Sequence, residues 1–219
     1  MCIIILRCDT TTTNNHTPGE FTRKLCKMLS KKYGRGALKN VYTRRQYRAL
    51  PPLNSDYIIV ITGSPFMLSN PQSVPRRITD LLDAALDDCV QQQAAGNHDT
   101  PRLVGICFGF QYILRYFGST VRALPNGRGH PSEEVLLYRL DDAVQNTIAP
   151  RTAHEHHYDF VVPHTIDLSN FLTTGIMIRP DRTTEYEPAS VQHKTMPIAG
   201  VQYHIGADQG LWSLLLGEA

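Results

Sequence analysis

The chain has 219 residues, of which 42% are hydrophobic and 19% charged. This composition excludes disordered, collagen-like and coiled-coil chains, and no apolar run approaches the roughly 20 residues that span a bilayer. The length predicts one α/β domain over residues 1–219. The first apolar run is too short for a secretory signal. Five cysteines without a C-x-x-C pair favour a reducing, cytoplasmic setting over a disulfide scaffold.

The net charge is only +2, but it is unevenly distributed. Residues 1–50 hold 11 Lys and Arg against two acids, whereas the remainder carries a net charge of −7. Such a segment is either a solvated surface or a contact surface for an acidic partner, such as a synthetase. Nucleic acid is not the expected partner, because aromatic residues do not alternate with the cations. This basic segment comprises Arg23, Lys24, Lys27, Lys31, Lys32, Arg35, Lys39, Arg44, Arg45 and Arg48.

The first half of the chain alternates between strand and helix patterns. Short apolar runs predict strands at Ile3–Leu6, Ala37–Tyr42, Tyr57–Thr62 and Leu103–Ile106. Helical spacing predicts a helix after the capping box Thr17–Glu20, a second from about Pro75, and a third at Gln111–Phe117. This order predicts a parallel sheet that is covered by helices on both faces.

The second half is richer in strand patterns. Strands are predicted at Val135–Leu140, Phe160–Val162, Leu172–Ile178 and Ile198–Tyr203, and a short helix at Leu211–Leu216. The sequence contains neither G-x-G-x-x-G nor G-x-x-x-x-G-K-[ST]. No ATP or dinucleotide cofactor is therefore expected.

The sharpest local pattern is the strand-turn-helix segment Gly105-Ile106-Cys107-Phe108-Gly109. A nucleophile between two glycines after a buried strand is typical of a nucleophile elbow. The glycines let backbone segments approach closely, and the following helix N-terminus favours a thiolate. Cys107 is therefore a candidate nucleophile, with a buried structural cysteine as the alternative.

A candidate base for this thiol follows the last predicted strand. His204 comes directly after Ile198–Tyr203. Because the carboxyl ends of parallel strands meet at one edge of a sheet, His204 and Cys107 can meet across 97 residues. A hydrogen-bonded structural histidine is the alternative.

Together these segments resemble the class I glutamine amidotransferase family. The resemblance rests on three anchors in the family's order, namely Ile61–Pro65, Gly105–Gln111 and Gly200–His204. It implies a flavodoxin-like three-layer α/β sandwich with a mostly parallel central sheet. It also implies a reaction in which a cysteine attacks the side-chain amide of glutamine, ammonia leaves, and the γ-glutamyl thioester is hydrolysed.

The resemblance gives each matching position a role. Cys107 would be the nucleophile, and His204 the general base and later the acid. The oxyanion would be held by the backbone N–H of Phe108 and by one from the Gly63–Ser64 segment. Gln111, one helical turn after the nucleophile, would contact the bound glutamine.

The sequence departs from the family pattern near its end. The family usually reads H-P-E after the last strand, and this glutamate orients the histidine, whereas the acid position here holds Gly206. Asp208 is the candidate substitute, two residues later. Loss of the acid in a catalytic triad costs roughly 10⁴ in rate in well-studied serine enzymes. Phe110 also replaces a histidine that many members carry.

The run His154-Glu155-His156-His157-Tyr158-Asp159 suggests a metal site at first sight. It lacks the H-E-x-x-H spacing of helical zinc sites, and no thiol partners accompany it. In the resembled family the segment at this position lies over the glutamine pocket. We therefore expect His157 and Tyr158 in the pocket wall, with an ordinary polar loop or a metal site as alternatives.

The expected function is a glutamine amidotransferase-like cysteine hydrolase that releases ammonia or another amine without a cofactor. A γ-glutamyl peptidase, whose leaving group is an amino acid, is a related alternative. A catalytically silent regulatory or binding homologue is a third, because Gly206 supplies no acid and the basic segment offers a contact surface.

Overall fold

The computed structural model describes residues 1–9, 19–124, 134–139, 151–154, 157–179, 182–205 and Trp212. The strands in these ranges are β1 Cys2–Leu6, β2 Leu38–Val41, β3 Tyr57–Ile61, β4 Arg102–Ile106, β5 Val121–Ala123, β6 Glu134–Arg139, β7 Arg151–His154, β8 Asp159–Val161, β9 Phe171–Arg179, β10 Arg182–His193 and β11 Ile198–Val201. The helices are α1 Glu20–Tyr33, α2 Arg44–Arg48, α3 Arg76–Ala94 and α4 Phe108–Tyr116.

The described strands form a nine-stranded sheet in the order β2-β1-β3-β4-β11-β10-β9-β6-β7, and β5 pairs separately with β8. The first five strands in this order, β2-β1-β3-β4-β11, run parallel to one another. From β11 onwards the pairs are antiparallel. The predicted α/β class with a parallel central region is confirmed, and antiparallel strands extend it on one side.

Side chains of the parallel strands fill two separate cores, because successive residues of a strand point to opposite faces. Ile4 and Leu6 pack with the apolar faces of α3 and α4 on one side of the sheet. Ile3 and Ile5 pack with α1 and Trp212 on the other. All four strand side chains are fully buried. Helices therefore cover both faces, as expected for a three-layer sandwich.

Most of the predicted strands and helices are present with shifted ends. Helix α1 begins at Glu20 with Gly19 as its N-cap, later than the Thr17–Glu20 capping box predicts. The N–H of Gly19 donates instead to the carboxylate of Asp9, at 3.0 Å. Thr17 and Pro18 lie outside the described residues, and so does the predicted helix Leu211–Leu216 apart from Trp212.

Four of the α-helices and strands in the described ranges were not predicted. They are the short helix α2 and the strands β5, β7 and β10. The longest of them, β10, joins the parallel part of the sheet to its antiparallel part by pairing with both β11 and β9.

His193 ends β10 as a buried histidine in an aromatic cluster. Its ring lies 4.9 Å from the ring of Phe171 and 5.4 Å from that of Phe117, between centroids. Its Nδ1 accepts hydrogen bonds from the backbone N–H groups of Thr195 and Met196 at 3.2 and 3.1 Å. Burial lowers the pKa of His193, partly offset by the nearby carboxylate of Asp167. The fold therefore favours the neutral ring.

We expect this histidine to make the stability of the fold depend on pH. Because the folded form binds the proton more weakly than the unfolded chain, the free energy of unfolding should fall as the pH drops below about 6.5. We expect His193→Asn, which keeps an acceptor but cannot titrate, to lose less stability between pH 7.5 and 5 than the wild type. Urea unfolding at both pH values measures this, and equal losses in the two proteins would contradict it.

Candidate active site

Cys107 occupies the sharp turn between β4 and α4. Its φ of 54° and ψ of −106° make it the sole non-glycine residue with positive φ in the described ranges. Such a backbone costs on the order of 1–3 kcal/mol and persists where the surroundings enforce it. Here the N–H of Cys107 donates to the carbonyl of Val201 at 2.8 Å, and its own carbonyl accepts from the N–H of Gln111 at 3.0 Å. The turn therefore has the strained backbone that a nucleophile elbow requires.

The two glycines of the motif allow this turn to form. A Cβ on Gly105 would lie 2.6 Å from the carbonyl carbon and oxygen of Gly109. A Cβ on Gly109 would collide with the carbonyl oxygen of Ile61 and lie 2.8 Å from the Ile61 Cβ. The start of α4 is therefore pressed against β3 and β4, which fixes the position of Cys107.

Cys107 and His204 both lie close to Gly63. The order β3-β4-β11 brings the ends of these strands together at the carboxyl edge of the sheet. A Cβ added to Gly63 would lie 3.6 Å from the Cβ of Cys107 and 3.2 Å from the Cε1 of His204. The candidate nucleophile, the candidate base and the candidate oxyanion segment therefore meet at one point.

The imidazole of His204 is stacked on the ring of Phe21 from α1. The centroids are 4.1 Å apart and the ring planes differ by 14°. The start of α1 is held in place by Asp9, which accepts from Gly19 and forms a bidentate pair with Arg7 at 2.8 and 2.9 Å. From the sequence, helical spacing predicts Phe21 only as part of the apolar face of α1. Asp9 is not among the residues that the sequence predicts for the site.

Beside His204 lies a cleft of about 320 Å³. It opens at the carboxyl edge, where ligands of open α/β sheets are usually bound. Its wall is mostly apolar or aromatic, with Ser64, Thr62 and His204 among its polar groups. The lining residues are Asp9, Gly19, Phe21, Thr22, Leu25, Thr62, Gly63, Ser64, Pro65, Ile106, Tyr158, His204 and Ile205.

Gln111 lies beneath the elbow with 2% of its surface exposed. Its Nε2 donates to the backbone carbonyl of Asp159 at 2.7 Å and to the Oε1 of Gln202 at 3.1 Å. The Nε2 of Gln202 in turn lies 3.9 Å from the sulfur of Cys107. Gln111 thus links α4 to the segment around Asp159, and a contact between Gln111 and glutamine stays a prediction.

The predicted pocket-wall residues His157 and Tyr158 have different surroundings. His157 is buried, and its Nδ1 contacts the carbonyl of Asp159. Tyr158 is 38% exposed and lines the cleft. The Asp159 carboxylate accepts from the N–H and the hydroxyl of Ser69, at 2.9 and 2.6 Å, which clamps this segment to the loop after β3. His154, Glu155 and His156 lie outside the described side chains.

The remaining predicted site residues lie next to the elbow or outside the described part of the chain. Phe108 is the first residue of α4, so its N–H has no carbonyl one turn earlier in the helix. The hydroxyl of Ser64 accepts from the N–H of Phe66 at 3.1 Å and shapes the turn after Gly63. Gly206 and Asp208 lie outside the described residues.

Other cysteines have environments that disfavour a nucleophile. Burial raises the pKa of the Cys89 thiol to about 12 and raises that of Cys8 well above its ordinary value. Burial also raises the pKa of Cys26. These three thiols therefore stay protonated at neutral pH, and thiolate is the reactive form.

Adding a methyl group at position 63 tests whether Cys107 and His204 act together beside Gly63. In Gly63→Ala the new Cβ would contact both Cys107 and His204. We expect the rate of any reaction that uses both residues to fall by about 10²-fold, because small misplacements of reacting groups have effects of that size. The matched control is Gly36→Ala, where a Cβ would have no neighbour within 4 Å. Equal rates in both variants would contradict this arrangement.

Comparison with known proteins assigns the family. A sequence model described as class-I glutamine amidotransferase matches residues 84–209, more than half of the chain. The chain belongs to this family. The matched range includes Cys107, Gln111 and His204.

One relative of this amidotransferase-family chain is distant in sequence. It is 28% identical over 116 residues to a protein of Methanospirillum hungatei that is named as one of the subunits of glutamine-hydrolysing GMP synthase. That alignment covers 51% of the chain and 56% of the relative, so the chain spans little more than half of the relative's length.

Solved structures share the fold of this chain. A glutamine amidotransferase from Thermotoga maritima has a TM-score of 0.58 at 14% identity, covering 99% of this chain and 88% of the other. A glutamine amidotransferase from Methylobacillus flagellatus has a TM-score of 0.58 at 16% identity, covering 99% and 76%. At these identities the likeness establishes the fold alone.

Proposed function

We propose that this chain hydrolyses the side-chain amide of glutamine or of a related γ-glutamyl compound. The observation that carries the proposal is that Cys107 and His204 both lie close to Gly63, and that Gly63 and His204 line a cleft. Family membership supports the same chemistry. The four other cysteines are all unpaired, which fits a reducing compartment such as the cytoplasm.

The reaction would proceed in two halves. His204 takes the proton of Cys107, the sulfur attacks the amide carbon, and the N–H groups of Phe108 and the Gly63–Ser64 segment stabilise the oxyanion. The C–N bond breaks as His204 returns the proton to the leaving nitrogen. Water then attacks the thioester with His204 as base, and the C–S bond breaks to release glutamate and the thiol.

Phe21 bears on how His204 works without the glutamate that the family carries two residues later. The residue at that position is Gly206, which has no side chain to offer. Stacking on Phe21 restricts the tilt of the imidazole instead. Ring stacking of this kind is worth roughly 0.5–1.5 kcal/mol. We therefore propose an active enzyme rather than a silent homologue.

Turnover and labelling of the wild-type protein test the proposal. The protein is incubated with glutamine, and glutamate release is followed, while a thiol-reactive glutamine analogue is mapped by peptide mass spectrometry. We expect glutamate release and a label confined to Cys107, with Cys8 and Cys89 unlabelled because their thiols are buried and protonated. No glutamate and an unlabelled Cys107 would overturn the proposal.

We further propose that the basic segment binds an acidic surface on a separate synthetase chain, since the aligned relative is named as one component of a synthase. All ten cations of this segment are exposed. They lie along α1, the edge strand β2 and α2. Their ion pairs with described residues include Lys24 with Glu20 and Arg48 with Asp88.

Charge reversal tests this surface. We expect Lys27→Glu with Lys31→Glu to abolish binding to the purified synthetase chain of the same organism, because exposed charges steer and orient such contacts. Glutamate release by the isolated chain should be unchanged. Binding that survives the reversal would show that the contact lies elsewhere.

A further inference from the structure

The side-chain amide of Gln202 contacts the sulfur of Cys107. Its Nε2 lies 3.9 Å from the Sγ of Cys107, and its Oε1 accepts a hydrogen bond from the Nε2 of Gln111 at 3.1 Å. Gln202 is 1% exposed and Cys107 is 3% exposed, so bulk water has little access to either side chain. A buried N–H group needs an acceptor. Within the described part of the chain, the sulfur is the acceptor in reach of the Gln202 Nε2.

The orientation of this amide follows from a backbone carbonyl. The carbonyl oxygen of Asp159 can only accept a hydrogen bond, so the Gln111 atom that meets it at 2.7 Å is the amide nitrogen. The same nitrogen can only donate to Gln202, so the Gln202 atom that receives this bond is the oxygen. The NH₂ group of Gln202 therefore faces the sulfur. These contacts form an amide relay that runs from Asp159 through Gln111 and Gln202 to Cys107.

The amide relay is anchored in the fold at both ends. The carboxylate of Asp159 accepts from the N–H and the hydroxyl of Ser69 at 2.9 and 2.6 Å, which holds the residue whose carbonyl orients the relay. At the other end, the backbone N–H of Gln202 donates to the carbonyl of Ala189 in β10 at 2.8 Å. These bonds restrict rotation of the Gln202 amide away from the sulfur.

A donor at this place stabilises the thiolate that the proposed reaction needs. Because a hydrogen bond to a charged atom is stronger than one to its neutral form, an N–H group that faces the sulfur favours the anion over the thiol. At 3.9 Å the contact is weak in the free protein. Bonds of this kind are often long before substrate binds and tighten in the reacting complex. His204 receives the proton, and the donor stabilises the negative charge that stays on the sulfur.

We infer that Gln202 is a catalytic residue of this site, because its side-chain amide donates to the Cys107 sulfur and stabilises the thiolate. Gln111 is a positioning residue, since it acts on the sulfur only through Gln202. The inference rests on the proposed function and adds a residue to it without changing the substrate. In the first step the S–H bond breaks, the proton moves to His204, and the electron pair that remains on the sulfur forms the C–S bond.

Replacing Gln202 by methionine tests the donor, because methionine has a similar length but no N–H group. We expect Cys107 alkylation by iodoacetamide at pH 7, followed by peptide mass spectrometry, to slow by about fivefold, and kcat/KM for glutamine to fall about tenfold. The alkylation rates should converge as the pH rises, because the thiol then ionises in both proteins. The matched control is Gln192→Met, at an exposed position of the neighbouring strand β10, which should change neither rate.

A double variant separates the amide relay from general damage to the fold. Gln111→Met leaves the Gln202 amide free to turn, so alone it should slow alkylation by about twofold. In the Gln202→Met background the same change should have no further effect, because Gln111 acts through Gln202. Urea unfolding confirms that each variant is folded under the assay conditions, and the ultraviolet absorbance of the thiolate, read as the difference from Cys107→Ala, gives the comparison without a reagent.

The outcomes separate this inference from the proposed function. If Gln202→Met or Gln111→Met matches the wild type in alkylation and thiolate absorbance at every pH, or if their effects add in the double variant, the inference is wrong whatever the turnover of glutamine. If both variants change the reactivity of Cys107 as expected but the wild type releases no glutamate, the hydrogen bond to the sulfur stands and the proposed function fails.

Discussion

Cys107→Ala is expected to stop glutamate release and to reduce turnover by about 10⁶-fold, since loss of a catalytic nucleophile has effects of that size. The alanine cannot form the thioester, and it keeps the backbone hydrogen bonds of residue 107 to Val201 and Gln111 while losing the weak contact between the sulfur and Gln202. The far-ultraviolet circular dichroism should therefore match the wild type. Steady-state glutamate release measures the loss. The control variant is Cys2→Ala, at the start of β1 and so at the opposite edge of the sheet. Residual turnover within tenfold of the wild type would exclude Cys107 as the nucleophile.

The same position separates catalysis from stability. A φ of 54° is strained for any residue with a Cβ. The free energy of unfolding of Cys107→Gly should therefore exceed that of Cys107→Ala by about 1–3 kcal/mol. Both variants lack the thiol, so neither should turn over substrate. Urea unfolding of the two variants gives the difference. Equal stabilities would mean that the turn is not strained at this residue.

The parallel half of the sheet was predictable because its strands carry their own signal. Runs such as Tyr57–Ile61 are apolar at consecutive positions, which is typical of strands covered on both faces. Strand β10 has no such run. Its register against β9 shifts on both sides of Pro188, which supplies no N–H for pairing. Pairing with β9 and β11 holds it in the sheet, and that pairing is not visible in its own sequence.

The short helix α2 does have a signal in the sequence. Thr43 and Gln46 form a reciprocal capping box, with the Thr43 hydroxyl accepting from the Gln46 N–H and the Gln46 side chain accepting from the Thr43 N–H. The T-x-x-Q pattern is typical of a helix start. The helix is easily missed because only five residues follow the cap. Three of them are arginines, so the buried Tyr47 does not stand out as part of an apolar pattern.

The candidate site likewise depends on both local and long-range information in the sequence. The glycines on either side of Cys107 predict a tight turn from local sequence alone. The position of this turn could therefore be predicted from five consecutive residues. The stack of Phe21 on His204 joins residues 183 positions apart and depends on which strands are neighbours. Asp9 did have a local signal, as a carboxylate shortly after a buried strand at the edge where ligands bind.

Gly109→Ala is expected to have the largest effect on stability of any single methyl group considered in this chain. The added Cβ would meet the carbonyl oxygen of Ile61 and its Cβ, and both belong to the middle of the sheet and not to a flexible side-chain end. Overpacking a core usually costs 1–3 kcal/mol, and a clash with backbone lies at the top of that range, about 3 kcal/mol or more. For a chain of this length that lowers the melting temperature by roughly 10 °C.

The clash should also reach the reaction, because relief requires the start of α4 to move away from β3. Cys107 precedes this helix by one residue and the N–H of Phe108 is its first, so both would move relative to Gly63 and His204. We therefore expect kcat to fall at temperatures where the variant is still folded, alongside the lower melting temperature. Gly36→Ala, with no neighbour for its Cβ, should change neither quantity. A Gly109→Ala protein that melts and turns over like the wild type would mean that α4 does not press on the sheet at this point, and the glycine pair would lose its structural role in presenting the thiol.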